Sequence, residues 1–153
     1  MNTKGISLAV CIFVAACSAG TDDGLTGAEP KAYTEMSFEE RALFMNDVVL
    51  PEMRKTFSAF DPKYANMSCD TCHSEGVRTG KYAMPSNGMV RLPPTEEEFY
   101  EYLKDPEHAR WAQFMMDKVW PQMAGLLKVK MFDPATHADG FSCHNCHKGE
   151  GEP

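Results

Sequence analysis

Two five-residue stretches combine residue types and spacing that suit metal chemistry: Cys69–His73 reads CDTCH and Cys143–His147 reads CHNCH. Both follow Cys-x-x-Cys-His, which is typical of c-type haem attachment. On a helical turn, two thiols at this spacing each reach one vinyl group of the same porphyrin, and the adjacent histidine projects under the ring toward the iron. The pattern predicts two covalently attached haem c groups, with iron ligands and thioether bonds from His73, His147, Cys69, Cys72, Cys143 and Cys146.

Other chemistry of paired cysteines matches the pattern less well. Two Cys-x-x-Cys pairs also suit one tetrahedral zinc ion, a redox dithiol or disulfides. None of these needs a histidine directly after both pairs. The chain has six cysteines, and the two outside the motifs, Cys11 and Cys17, lie near the N-terminus. If Cys11 leaves with a signal peptide and Cys17 takes lipid, no cysteine is left over for a disulfide.

The N-terminus is typical of an export signal. Lys4 is the only charged residue ahead of a small, apolar run from Gly5 to Ala16, which is too short to span a bilayer. The run ends in the sequence VAAC at Val14–Cys17, which resembles the lipobox of bacterial lipoproteins. That resemblance implies a signal peptide over residues 1–16 and lipid on Cys17. Ordinary cleavage at the Ala-x-Ala-like end and an uncleaved anchor are the alternatives.

The residues after Cys17 predict how the protein is held. Residues 18–30 have linker composition, so residues 17–36 are interpreted as lipid anchor and flexible tether. Several acyl chains on one cysteine give stable anchoring where a single chain does not. Ser18 replaces the aspartate that usually signals inner-membrane retention. We therefore expect a bacterial envelope protein, either an outer-membrane lipoprotein or one on the periplasmic face of a membrane.

The rest of the chain, residues 37–153, is internally repeated. Three segments of its first half align with three of its second half, namely Phe44–Met53 with Phe114–Met123, Phe60–Pro62 with Phe132–Pro134, and Ser68–Cys69 with Ser142–Cys143. The alignment predicts a mainly α fold with duplicated helix–loop–CxxCH haem units and long loops. The half-repeats cover about 37–80 and 105–153.

Capping patterns predict where helices begin. Ser37 and Glu40 form a capping box ahead of an apolar-periodic stretch, so one helix is expected near Phe38. Thr95-x-x-Glu98 and Asp105-Pro106 predict two more helix starts. Pro51 and Pro121 fall inside helical patterns and are expected to kink or restart each helix. Residues 76–95, rich in Gly and Pro, are expected to form a loop, and no strand is predicted.

The duplicated methionines are candidates for the sixth iron ligand, because a thioether is common in electron-transfer haems and raises the potential. Met53 and Met123 are the predicted pair. Met45 and Met115 are also duplicated, and methionines at such positions commonly fill cores. Met84 and His137 stay open as well, although Met84 has no counterpart in the second half. The remaining histidines, His108 and His144, are more typical of surface positions.

A Met-bearing helix, a loop and a Cys-x-x-Cys-His motif, repeated, together resemble the photosynthetic reaction-centre cytochrome c subunit and its smaller relatives. The segment Gly140–Gly149 resembles the haem segments of that group most, and the resemblance covers roughly residues 38–153. It implies a lipid-anchored, mostly helical, pseudo-twofold protein whose sixth ligand is a methionine before each motif. This chain departs from the family in having two haem motifs rather than four and a proline in each Met-bearing helix.

Charge and motifs together predict a function. A net charge of −7 argues against nucleic-acid binding and favours basic redox protein partners. The leading interpretation is electron transfer by a membrane-tethered, exported dihaem cytochrome c without catalytic residues. A small dihaem peroxidase-like enzyme is the first alternative, and it would need an open iron with His108 or His137 as a distal group. A haem subunit or sensor of a larger redox complex is the second.

Overall fold

The computed structural model describes residues 31–152, so the predicted signal peptide, Cys17 and the tether up to residue 30 lie outside the described residues. The described part is mainly helical, as predicted, while the duplicated helix–loop–CxxCH haem units stay a prediction. Backbone pairing beyond the helices is confined there to three isolated bridges, Leu92–Gly149, Met131–Phe141 and Asp133–Ala138. None of the described helices is long and apolar enough to cross a membrane.

The first long helix begins at the predicted capping box. The Glu40 backbone N–H donates to Ser37 Oγ (3.2 Å), and the Glu40 carboxylate accepts from the Ser37 backbone N–H (2.7 Å). The helix runs through α1 (Phe38–Phe44), a first π turn (Met45–Val49) and α2 (Leu50–Phe60). Ahead of it, Tyr33–Glu35 form a 3₁₀ turn whose Tyr33 carbonyl accepts from the Arg41 side chain.

Short elements connect the two long helices. A 3₁₀ turn (Pro62–Asn66) precedes α3 (Asp70–His73) and α4 (Glu75–Thr79), and α5 (Glu96–Tyr102) starts after Thr95 as predicted. The loop predicted for residues 76–95 was therefore wrong at its beginning, because residues 76–79 are helical. Gly76 does not interrupt α4, which ends before Gly80, a residue in the left-handed conformation (φ 68°).

The second long helix repeats the design of the first. Asp105 caps it by accepting from the backbone N–H groups of Glu107 and His108, which confirms the predicted start. It continues through α6 (Pro106–Phe114), a second π turn (Met115–Val119) and α7 (Trp120–Leu127). After it, the second Cys-x-x-Cys-His motif contains only a 3₁₀ turn (Cys143–Asn145).

The two π turns show how a proline is accommodated inside each long helix. The Leu50 N–H reaches back five residues to the Met45 carbonyl, and the Trp120 N–H does the same to Met115. Each proline follows directly, so the α-helical hydrogen-bond pattern restarts one residue before it, as predicted, without a break in the helix. The wide turn leaves room where a proline ring would otherwise clash.

A π turn also changes which residues share a helix face. In a regular α-helix, which rotates about 100° per residue, residues eight positions apart differ by about 80°. The π turn absorbs one residue, which reduces the difference to about 20°. Met45 and Met53 therefore face the same way, as do Met115 and Met123.

The two long helices pack against each other in antiparallel fashion. Phe60 stacks on Phe114 (ring centroids 4.0 Å apart) and meets Trp111 edge-on (4.7 Å), while Thr56 Oγ1 donates to Gln122 Oε1 (2.6 Å). The buried core between them consists of Val49, Met53, Phe57, Met67 and Phe114. Cys72 of the first motif packs against this core.

Candidate functional site

The first Cys-x-x-Cys-His motif forms the helical turn that haem attachment requires. The Thr71 N–H donates to the Ser68 carbonyl (3.0 Å), which starts the turn. The His73 N–H donates to the carbonyl of Cys69 (2.8 Å), so the histidine sits one helical turn beyond the first cysteine. The turn ends at Ser74, whose φ of 46° separates α3 from α4.

The second motif is a 3₁₀ turn, yet it makes the same hydrogen bond between its histidine and its first cysteine. Asn145 Oδ1 accepts from the Ser142 backbone N–H (2.7 Å) and tightens the turn. The His147 N–H then donates to the Cys143 carbonyl (2.9 Å), which matches the bond in the first motif. In both motifs the histidine is therefore fixed relative to the first cysteine by the same backbone hydrogen bond.

None of the four motif cysteines forms a disulfide within the described residues, and Cys72 and Cys146 are half-buried. Burial raises the pKa of Cys72 to about 11, and the nearby Cys146 adds to that shift. Burial raises the pKa of Cys146 to about 11 as well. Because the Cys146 thiol contributes to the raised pKa of Cys72, these two thiols lie near each other. Both thiols are protonated at neutral pH.

The imidazole of His147 is oriented by the backbone of a distant segment. Its Nδ1 lies 2.8 Å from the Val90 carbonyl oxygen. A carbonyl oxygen only accepts, so in the neutral ring Nδ1 carries the proton and Nε2 keeps a free lone pair. This arrangement is the one that supports a histidine bound to a metal through Nε2.

His73 has different surroundings. Its Nδ1 is buried without a hydrogen-bond partner, and the Tyr82 ring meets its ring edge-on at 5.6 Å. Burial lowers the pKa of His73, although the Tyr82 backbone opposes that shift. The imidazole is thus kept neutral, which is the protonation state in which histidine binds metals.

Each motif is also tied to a long helix at the carbonyl two residues before its first cysteine. In the first half, the Arg54 guanidinium donates twice to the Met67 carbonyl (2.9 and 2.7 Å). In the second half, Trp120 Nε1 donates to the Phe141 carbonyl (2.7 Å). Sequence analysis missed both donors, because Arg54 and Trp120 are not aligned with each other in the repeat. The only sequence signal for these donors is that Arg54 follows the duplicated Met53 and Trp120 precedes the duplicated Pro121.

The duplicated methionines all contribute to one apolar cluster. Met53 is 4% exposed, while Met45, Met115 and Met123 are half-buried and pack against the same core. Cys72 packs there too, so the first motif adjoins the methionines. The structure brings the Met53 and Met123 pair together with the Met45 and Met115 pair, and the choice between the pairs stays a prediction.

The other candidate ligands lie apart from this cluster. His137 is exposed in the turn before the second motif, with a φ of 51° and its ring 6.4 Å from Phe132. His108 stacks on Tyr102 (3.9 Å) and places Nδ1 near that residue's carbonyl. Met84 is half-buried in the segment after α4.

The described range contains no group of three or more His, Cys, Asp or Glu side chains placed to hold a metal ion. A tetrahedral zinc site needs four such ligands in one place. A haem iron takes only two axial ligands from the protein, so this finding does not bear on haem.

Comparison with family models, with curated proteins and with solved structures finds no match for this chain. The resemblance to the reaction-centre cytochrome subunit therefore rests on the motif and repeat residues themselves.

Proposed function

We propose that the chain is a dihaem c-type cytochrome that transfers electrons. The observation that carries the proposal is the pair of Cys-x-x-Cys-His motifs, each closed by the same hydrogen bond from His N–H to the first Cys carbonyl. Cys72 of the first motif also packs against the core that holds the duplicated methionines.

The residues present fit two haem groups. The thiols of Cys69 and Cys72 would hold one, and those of Cys143 and Cys146 the other. His73 and His147 would bind the irons, since burial lowers the pKa of His73 and the Val90 carbonyl orients the His147 imidazole. Met53 and Met123 are the proposed sixth ligands. When bound, a haem supplies reversible one-electron chemistry.

The protein's own residues set the conditions for that chemistry. The Phe57, Phe60 and Phe114 rings exclude water from the methionine cluster, which favours the less charged state of any redox centre there. A thioether ligand adds to this preference. The contribution of the Cys146 thiol to the raised pKa of Cys72 supports two attachment sites that lie near each other, as electron exchange between two haems would require.

Location and partners follow from the N-terminus and the charge. We propose a lipid anchor on Cys17 that tethers the domain to a bacterial envelope membrane, with basic redox proteins as partners because of the net charge of −7. Replacement of Cys17 by Ser is expected to release the protein from membranes or to block its processing. A mature N-terminus other than Cys17 would exclude the anchor.

Haem content is the decisive test. After acid–acetone extraction, the denatured chain should retain two haems, and the Cys143→Ser, Cys146→Ser double variant should retain one. Free thiols or bound zinc in the intact protein would refute the proposal. The oxidised spectrum then separates the roles: six-coordinate, low-spin haem at both sites supports a carrier, whereas a high-spin haem that turns over peroxide supports the peroxidase-like alternative.

A further inference from the structure

The segment between the two halves, residues 82–92, touches both motifs, and we refer to it as the linking segment. At its start, the Tyr82 ring lies against His73 (5.6 Å). Four residues later, the buried Ser86 donates from Oγ to the His73 carbonyl (3.3 Å) and accepts from the Gly88 N–H. The first half of the linking segment therefore lies on the first motif.

The second half of the linking segment lies on the second motif. The Val90 carbonyl faces His147 Nδ1. Two residues later, the Leu92 N–H donates to the Lys148 carbonyl (2.9 Å), and the Leu92 carbonyl accepts from the Glu150 N–H (2.9 Å). Residues 90–92 thus run beside the chain that leaves the second motif.

Arg91 closes this arrangement from the side. Its Nη1 donates to the Gly149 carbonyl (3.0 Å) and to the Glu152 carbonyl (2.6 Å). Gly149 is buried, and its N–H donates to the Glu152 carboxylate. The Arg91 guanidinium therefore ties the turn after His147 to the linking segment, next to Val90.

We propose that Arg91 is a positioning residue for the second haem: by binding the Gly149 and Glu152 carbonyls, it holds the Val90 carbonyl against the His147 imidazole. This inference rests on the proposed function. A hydrogen bond accepted from Nδ1–H makes the imidazole a more basic ligand, which favours oxidised iron and lowers the potential. Loss of that bond should therefore raise the potential of the second haem.

The charge of Arg91 acts in the opposite direction, which makes the role testable. A nearby positive charge disfavours oxidised iron, so removing the charge would lower the potential. Arg91→Lys keeps the charge, but a lysine ammonium lacks the two fixed, coplanar N–H directions with which Nη1 binds both carbonyls. A positioning role predicts a raised potential in Arg91→Lys, and a role through charge alone predicts no change.

The experiment is a redox titration of the holoprotein, with the second haem identified by its loss in the Cys143→Ser, Cys146→Ser variant. Arg91→Lys should raise the potential of that haem only, and amide hydrogen exchange at Leu92 and Glu150 should accelerate. Arg78→Lys is the matched control, because Arg78 is 77% exposed and has only a long ion pair with Glu75 (3.6 Å). It should change neither quantity.

Two results would overturn the inference: an unchanged second-haem potential in Arg91→Lys, or an equal shift of both haems. Neither touches the proposed function, which is tested separately by counting haems in the unaltered protein. If the protein retains two haems but the Arg91→Lys variant behaves like the parent, only the positioning role of Arg91 is refuted.

Discussion

At the scale of single residues, the two halves bind their motifs with unlike side chains at equivalent carbonyls. Arg54 and Trp120 occupy different helix positions, yet each donates to the carbonyl two residues before a motif cysteine. The common requirement is the anchored carbonyl, and the donor is whichever side chain reaches it. Repeats that diverge in sequence can keep a contact in this way while the residue that makes it moves.

Trp120→Phe tests this anchor in the second half. The substitution keeps an aromatic ring but removes the indole donor, while the Phe141 carbonyl still accepts from the Phe132 N–H (3.0 Å). The loss of one hydrogen bond should lower the free energy of unfolding by about 0.5–1.5 kcal/mol. Urea unfolding measures the loss. Trp111→Phe is the control, because Trp111 Nε1 donates only to the exposed Glu107 carboxylate. If both substitutions destabilise equally, the loss reflects ring size and the anchor is not special.

The axial ligands give a second prediction at this scale. Met53→His and Met123→His should each lower the potential of one haem, and of different haems, because an imidazole replaces a thioether that favours reduced iron. Redox titration of the holoprotein measures both potentials. Met84→Ala should leave both haems six-coordinate. A response from Met45→His and Met115→His in place of the first pair would reassign the ligands.

At the scale of elements, the π turns are the feature that the sequence indicates least directly. The prolines predict an irregularity, and capping residues correctly predict the helix starts near Phe38, Glu96 and Pro106. A kink bends the helix axis, whereas a π turn rotates the residues that follow it about the axis. Packing against the other long helix selects which of their side chains face the core. Local patterns therefore predict where each helix begins but not how its two parts are aligned.

Deletion of Asp47 should show why the first π turn is needed. Without this exposed residue, the helix can close as a regular α-helix, which would press the Pro51 ring against the Asn46 carbonyl at a cost of roughly 3 kcal/mol. Pro51→Ala in the same chain should restore most of the lost stability. Chemical denaturation measures each variant.

Asp47→Ala serves as the control for that deletion and should be nearly neutral, since the Asp47 side chain contacts only Asn46. If Pro51→Ala fails to rescue the deletion, the π turn has a role other than accommodating proline.

The contacts between residues of the two halves could not be predicted from the sequence. The motif cysteines and histidines follow from the printed sequence. The carbonyl of Val90, the guanidinium of Arg91 and the stacking of Phe60 on Phe114 depend on residues far apart in sequence. Side-chain type alone carries no information on which distant backbone oxygen a donor will meet.

At the scale of the whole molecule, acid stability should depend on aspartates at turns and caps. Hydrogen bonds from the Lys63 backbone, the His108 backbone and the Thr136 hydroxyl lower the pKa of Asp61, Asp105 and Asp133, respectively, below 3.8. A carboxyl whose pKa is lower in the folded state contributes stability above pH 3.8, and this is lost as the pH falls through the folded value.

Asp105→Asn isolates one of these contributions. Asparagine caps a helix as a neutral acceptor, so the variant should resemble the parent at neutral pH and lose less stability than the parent between pH 3.8 and strongly acidic conditions. Urea midpoints across that range measure the difference. Parallel acid profiles for parent and variant would show that the Asp105 carboxylate does not contribute.

The burial of Cys72 has a consequence for how such a protein matures. Thioether formation requires a thiol that can be reached, yet in the folded chain this sulfur packs against the methionine core and its pKa is about 11. In a chain that completed its folding first, this sulfur would be half-buried and protonated, which disfavours attachment. On the proposed function, we expect the cofactor to be joined more readily to an unfolded chain, with the helices assembling around it afterwards. Biosynthesis would then run in the order of export, ligation and collapse.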